Sequence, residues 1–309
     1  MTNILITIAI PAYNNQNTIR KTIESCINQN TTAKYEILIV DDASTDDTPN
    51  IIKSYDDEKI RLITLAHRVP LIENHNVCLE NAIGKYVIFC HADDALEDHT
   101  IEIFSSKLKQ RMYPKKYIVW GHSMFRDFSS KAMNSTIFQY NEIVVGEYAP
   151  MLFLYGGLTP TGTCYSRESF LELGSFLEVE FNASPSDMTT MIYLAMHGFR
   201  FEMIDEMVLN RAGSSTAIQE AGETRYLEEL DDAFKYFLLK VDSDAIKNLI
   251  SKSQKQKVKP LYFYYAITQK SDHKKQIQQI IIREIIKNPF MIRSILVRKL
   301  LKRLFWKNI

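Results

Sequence analysis

The sequence predicts an α/β fold, a mainly parallel sheet flanked by helices and followed by a basic helical appendage. Three observations predict it. Short β-branched runs alternate with helical stretches through residues 4–90. Several of those runs end in polar and acidic clusters, and open parallel sheets bind ligands beyond the carboxyl ends of their strands. The composition, 46% hydrophobic and 24% charged over 309 residues, is that of an ordinary globular chain with material for a full core.

Residues 4–10 (ILITIAI) form a buried strand stopped by Pro11. Asn17 or Thr18 caps a helix reaching about Asn28, with Ile19, Ile23 and Ile27 on one face. Residues 35–40 (YEILIV) are a second strand, ended by Asp41-Asp42-Ala43-Ser44-Thr45-Asp46-Asp47. Thr48 caps the next helix, with Pro49 at its first position, where a missing amide costs nothing. A third strand follows at 60–65, then a helix at 73–83 leading into Gly84. The fourth strand, 85–90 (KYVIFC), ends at His91-Ala92-Asp93-Asp94. Residues 117–182 read as irregular strands and loops, with a strand at Tyr117–Trp120. A helix is expected over 186–197, with Asp187 near its start and Gly198 as its C-cap. After about 220 the pattern is helical, so the chain divides into residues 1–219 and a basic region, 220–309.

The net charge is zero, with 37 Lys+Arg against 37 Asp+Glu, but it is unevenly placed. Residues 1–234 hold 19 basic and 33 acidic residues, a net of −14; residues 235–309 hold 18 and four, a net of +14. Such asymmetry assigns the two parts separate jobs. The four cysteines, Cys26, Cys78, Cys90 and Cys164, have no CxxC spacing and read as buried thiols of a reducing cytoplasm. The start Met1-Thr2-Asn3 has no basic segment before its apolar run, so neither a signal peptide nor a transmembrane helix is expected.

An acid at a strand end is ordinarily a turn or cap residue, and Asp46 and Asp47 before Thr48 fit that role. Asp41/Asp42 and Asp93/Asp94 are different, because two doublets end two strands of one sheet. Like charges that close repel, so a cation or a hydrogen-bonding ligand is needed between them. Mg²⁺ and Mn²⁺ take carboxylate oxygens together with substrate phosphates, and a nucleoside diphosphate bridging such an ion fits. No Walker A sequence, GxGxxG or kinase set is present, so no Gly-rich cradle holds the phosphates.

Those segments resemble family 2 glycosyltransferases of the GT-A fold. The resemblance is carried by Ile10-Pro11-Ala12-Tyr13-Asn14, Ile39–Thr48 and His91-Ala92-Asp93-Asp94. Gly162–Arg167, Leu173-Gly174-Ser175-Phe176, Ser186-Asp187 and Asn210-Arg211 then follow in the family's order, so the likeness covers about 4–216. It implies inverting transfer of a sugar, a hexosyl or N-acetylhexosaminyl group, from a UDP-sugar to a glycan or lipid-linked saccharide. Pro11, Ala12 and Tyr13, with Asn14 beside them, match the segment lining the base. Asp41 and Asp42, followed by Ser44, match the acids that read uracil and ribose. Asp93 matches the last acid of the DxD motif, the ligand for Mn²⁺ or Mg²⁺, with Ala92 and Asp94 on either side. His91 stands where that motif begins with Asp, either as a further metal or ribose contact or as a packed side chain. Asp187 matches the catalytic base, preceded by Ser186 where the family has Glu, and Arg211 matches a phosphate or acceptor contact. A competing reading is a non-catalytic, degenerate relative that binds UDP-sugar as a scaffold for glycan assembly. Trp120 is a stacking candidate whose commoner fate is the core, and His67, His75, His99 and His197 receive no role.

Residues 288–309 carry Arg293, Arg298, Lys299, Lys302, Arg303 and Lys307 and no acid. At helical spacing, Leu296, Val297, Leu300, Leu301, Leu304 and Phe305 share a face opposite Arg298, Lys299, Lys302 and Arg303. That pattern suits an anionic membrane surface and equally a helix packed on its own domain or a homodimer partner. Nucleic acid is not expected, since aromatic interleaving and a recognition motif are missing. The expected location is cytoplasmic, peripheral to the inner face of the cell membrane.

Overall fold

The structure, a computed structural model, describes residues 4–125, 128–129, 140–144, 161–176, 190–191, 193–195 and 197–211, with single positions 282, 286 and 289. The chain divides into two compact units. The first, Met1–Gly146, Leu158–Glu178 and Tyr193–Ser214, contains every strand and helix labelled below; the second comprises the remaining segments, Asp187 among them.

In chain order the elements are β1 (Ile6–Ala12), α1 (Ile19–Ile27), β2 (Tyr35–Asp41), α2 (Thr48–Lys53), β3 (Ile60–Thr64), α3 (Leu71–Asn81) and β4 (Tyr86–Phe89). There follow β5 (Ala95–Leu96), α4 (Thr100–Gln110), β6 (Tyr117–Phe125), β7 (Phe128–Ser129) and β8 (Ile143–Val144). The last are β9 (Thr163–Ser166), α5 (Arg167–Leu171) and β10 (Arg200–Arg211). Among the described residues the strands form one sheet in the order β3-β2-β1-β4-β9-β6-β10-β5, with β7 on β6 and β8 on β10. Strands β3, β2, β1 and β4 run parallel. β9 lies antiparallel between β4 and β6, and β6 runs parallel to β10, so the sheet is mixed. This is the α/β architecture the sequence predicts.

Every residue of β1, β2 and β4 is buried, as strands covered on both faces must be. Ile8, Ile10, Ile37, Ile39 and Ile88 pack in one core with Ile19 and Ile23 of α1 and Phe104 of α4. Close packing fixes the helix–strand joints. Gly84 sits where an added Cβ would lie 2.5 Å from the Thr7 amide nitrogen and 2.7 Å from the Ile6 carbonyl carbon.

Some boundaries move. β1 continues through Pro11 to Ala12, because its pairing with β4 has already ended at Ala9 and only β2 remains alongside. Asp47 occupies the cap position of α2, and Thr48 lies in its first turn, where its hydroxyl accepts the Asn15 amide at 2.8 Å. α3 begins at Leu71, directly after Pro70. Helix α4 and the long strand β10 are additions to the elements expected from sequence. In the segment expected as helix 186–197, positions 190–191 and 193–195 are helical, and Gly198 takes φ +81° beyond them. All four cysteines are buried and free. Among the described residues no helix is long and apolar enough to cross a membrane.

Candidate functional site

The carboxyl ends of β1, β2 and β4 meet, as parallel neighbours must, and bring the sequence-predicted groups together. Past β1, the Asn14 amide donates to Ser44 Oγ at 2.9 Å, and Asn14 Oδ1 accepts the Thr45 amide at 2.8 Å. These bonds tie the loop after β1 to the loop after β2. Asn14 and Ala43 both adopt left-handed backbone, φ +50° and +52°. For Ala43 that conformation costs about 1–2 kcal/mol, and strain of this kind concentrates at functional sites.

Asp41 and Asp42 are buried at the end of β2. Asp41 Oδ2 accepts the Ser44 amide at 3.3 Å, while its buried Oδ1 has no hydrogen-bond partner among the described residues. Asp42 accepts the Val69 amide at 2.8 Å. Burial pushes the Asp42 carboxyl up, and Asp41 and Glu73 add to this against the Val69 amide and the Arg68 guanidinium. Arg68 also lies 4.1 Å above the centre of the Tyr13 ring, a cation–π contact that brackets the space over the loop after β1.

The turn after β4 is held from three sides. Its own Asp94 amide donates to the His91 carbonyl at 2.9 Å. From α1, the Thr18 hydroxyl donates to the Ala92 carbonyl at 2.9 Å and the Thr22 hydroxyl to the Asp94 carbonyl at 2.7 Å. Thr18 thus occupies the cap position expected of it but spends its hydroxyl on the turn, with no capping hydrogen bond. From the segment before β9, the Thr161 hydroxyl donates to Asp94 Oδ2 at 2.9 Å and accepts the His91 amide at 3.3 Å. Gly162, at φ +73°, donates its amide to the Phe89 carbonyl at 2.8 Å.

In that turn His91, Asp93 and Asp94 each offer a donor atom, and all three atoms lie within 4.8 Å of one another. One imidazole and two carboxylates in four residues fit a divalent cation such as Mn²⁺ or Mg²⁺. Burial lowers the His91 pKa to about 4; Asp93 opposes the shift and Arg211, at the end of β10, adds to it. The imidazole is therefore neutral at pH 7, the state in which it can bind a metal.

His75, given no role from sequence, lies beneath the turn. Its Nε2 is 3.0 Å from His91 Nε2, and its Nδ1 is 2.8 Å from the Leu71 carbonyl oxygen. Burial, with His91 beside it, lowers the His75 pKa to about 3 against the Leu71 hydrogen bond. Thr18, Thr22, Thr161 and Arg68 are the other residues at the site that sequence reasoning passed over. Thr18 and Thr22 alone carried a signal, since one helical turn separates them. Trp120 is buried in β6, its commoner fate. Asp187, Ser186 and the basic segment of the tail lie outside the described residues.

Comparison with known proteins adds ancestry to this geometry. The sequence model of the family described as Glycosyl transferase family 2 matches residues 7–170. Among curated relatives, a putative teichuronic acid biosynthesis glycosyltransferase, TuaG of Bacillus subtilis, is 34% identical over 32% of this chain and 39% of its own length. A UDP-Glc:alpha-D-GlcNAc-diphosphoundecaprenol beta-1,3-glucosyltransferase, WfgD of Escherichia coli, is 30% identical over 41% of this chain. The chain spans about half of that relative, 52%. Among the solved structures that share the fold are the following two. S. aureus TarS residues 1–349 with UDP-GlcNAc has a TM-score of 0.64 at 16% identity, covering 91% of this chain and 80% of that one. The mannosyltransferase PcManGT from Pyrobaculum calidifontis, with GDP-Man and Mn²⁺, has a TM-score of 0.61 at 18% identity, covering 98% and 88%.

Proposed function

This chain belongs to glycosyl transferase family 2, and on that footing we propose that it is an inverting, metal-dependent glycosyltransferase. It moves a sugar from a UDP-sugar to a glycan or lipid-linked saccharide of a bacterial surface polysaccharide. The observation carrying this reading is that two acid doublets stand at the carboxyl ends of β2 and β4, the two strands that flank β1. One, Asp41/Asp42, has a buried carboxylate oxygen without a partner among the described residues; the other sits in a three-donor cluster.

The roles follow from chemistry. Asp41 and Asp42 only accept hydrogen bonds when ionised, so they suit the uracil N–H and ribose hydroxyls of a donor whose base lies along Pro11, Ala12 and Tyr13. His91 and Asp93 hold the divalent ion, with Asp94 oriented by Thr161. When bound, that ion supplies Lewis-acid stabilisation to the departing diphosphate. Arg211 adds a positive charge on the same side. An acceptor hydroxyl is a weak nucleophile, so a carboxylate must take its proton as the bond forms, and Asp187 is the residue that matches that base. The undecaprenol-linked substrate that WfgD is named for supports a lipid-linked acceptor. The basic face of residues 288–309 supports work at the inner membrane surface.

The test is UDP release from a panel of UDP-sugars, with Mn²⁺ and with EDTA. Release is expected only with metal, and Asp187→Asn should slow it by about 10²–10⁴-fold with little change in donor affinity. UDP binding without release from any donor, or full turnover by Asp187→Asn, overturns the reading.

A further inference from the structure

We infer that His75 is a positioning residue that decides which nitrogen His91 offers to the Asp93/Asp94 turn. It holds His91 as the Nε2–H tautomer, so that the bare Nδ1 is the ligand atom. The inference deepens the metal-dependent reading above and rests on it.

The argument starts inside α3. A carbonyl oxygen only accepts, so the 2.8 Å contact between His75 Nδ1 and the Leu71 carbonyl puts the His75 proton on Nδ1. Leu71 lies one helical turn before His75, so the helix itself holds the ring in place. Among the described residues, its ring neighbours besides His91 are the apolar side chains of Phe89 and Phe176. His75 is 2% exposed, stacks on Phe89 at 5.2 Å between ring centres and meets the Phe176 ring nearly at right angles at 5.7 Å. Neutral His75 therefore presents Nε2 as a lone pair.

That lone pair faces His91 Nε2 at 3.0 Å. Two bare nitrogens do not sit at hydrogen-bond distance, so His91 carries its proton on Nε2 and donates it. The two rings stand edge to face, with centres 5.1 Å apart, which lets one nitrogen point at the other. The remaining nitrogen of His91, Nδ1, is left with an unprotonated lone pair in the residue that shares the turn with Asp93 and Asp94. The hydrogen bond made by one imidazole nitrogen sets the role of the other, and metal-binding histidines are oriented this way by a carboxylate, carbonyl or water. Here a second histidine, itself anchored by helix backbone, does the same.

The test uses the full-length chain and begins with metal-free protein, by ¹⁵N–¹H long-range NMR of the histidine rings near pH 7. The expected pattern is Nδ1–H for His75 and Nε2–H for His91; His91 in the Nδ1–H form overturns the inference without need of any variant. Mn²⁺ affinity is then read from the EPR signal of free Mn²⁺ with UDP saturating. His75→Phe should weaken Mn²⁺ binding by about tenfold or more, and His75→Gln, whose amide oxygen still accepts from His91, should recover most of it. Unchanged affinity in His75→Phe overturns the positioning role. Wild-type protein that takes up no Mn²⁺ overturns the metal reading together with the ligand role of His91. That failure is distinguishable because it arises before any substitution.

Discussion

Asp41 carries a buried carboxylate oxygen that no described residue satisfies, and a ligand can satisfy it. A buried carboxylate oxygen without a partner costs about 1–3 kcal/mol, and a donor group from outside the protein recovers it. Asp41→Asn removes the negative charge while keeping shape, so the protein should lose no stability. UDP affinity should fall by about tenfold to a hundredfold, read by calorimetry, because a charged acceptor becomes a neutral one. A variant that melts early instead would make Asp41 structural. The acid doublets were legible in sequence because each ends a strand, and strand ends of one parallel sheet converge. His75 was not: its partner, His91, lies 16 residues away across a helix and a strand, and histidine spacing carries no trace of that contact. Thr161 was hidden for the same reason, since only folding brings it to Asp94.

At the scale of elements, two joints hold the strands that carry the site. Gly84 passes so close to β1 that a methyl group would meet backbone atoms of Thr7 and Ile6, which have no side-chain freedom to yield. Gly84→Ala should cost about 1–3 kcal/mol, an overpacking penalty, seen as a lower urea midpoint at unchanged slope. The second joint is Glu202 of β10, fully buried, bonded by Arg111 at 2.8 and 2.9 Å and by the Tyr117 hydroxyl, with Lys107 at 3.3 Å. Burial pushes the Glu202 carboxyl up, but the Arg111 and Tyr117 hydrogen bonds and the two cations outweigh it and hold it below the usual range. A depressed carboxylate adds stability above its unfolded pKa and loses it as pH falls through the folded one. Arg111→Met should therefore destabilise by up to about 3 kcal/mol at pH 7, and its gap from wild type should narrow below about pH 4. A gap independent of pH would mean that only packing was lost. β10 escaped the sequence reading because its register shifts between Met203 and Met207 and again before Leu209. Each shift breaks the alternation by which a strand is recognised. α4 carries an ordinary stripe, Ile101, Phe104 and Leu108, that helical periodicity does contain.

On the scale of the whole molecule, zero net charge conceals two opposed parts, −14 through residue 234 and +14 beyond it. The ordered motifs made the family legible, and its model matches residues 7–170, whereas the tail pattern alone does not separate a lipid surface from a protein face. Electrostatics does make them separable by experiment. An anionic bilayer repels the acidic part and attracts the basic one, at about 1 kcal/mol for each Lys or Arg near the surface. Six such residues and no acid lie within 288–309, so that segment should account for the binding. The attraction acts over a Debye length, about 8 Å at physiological salt and about 3 Å at 1 M, so it should fade as salt rises. Full-length protein should sediment with phosphatidylserine-containing vesicles at low salt and not with neutral ones. The full chain with Arg298, Lys299, Lys302 and Arg303 changed to Gln should stay in the supernatant while binding UDP normally, as should a chain ending at residue 287. Equal sedimentation of these variants would assign the basic face to a protein contact, and vesicle-independent dimerisation of the wild type would then identify which one.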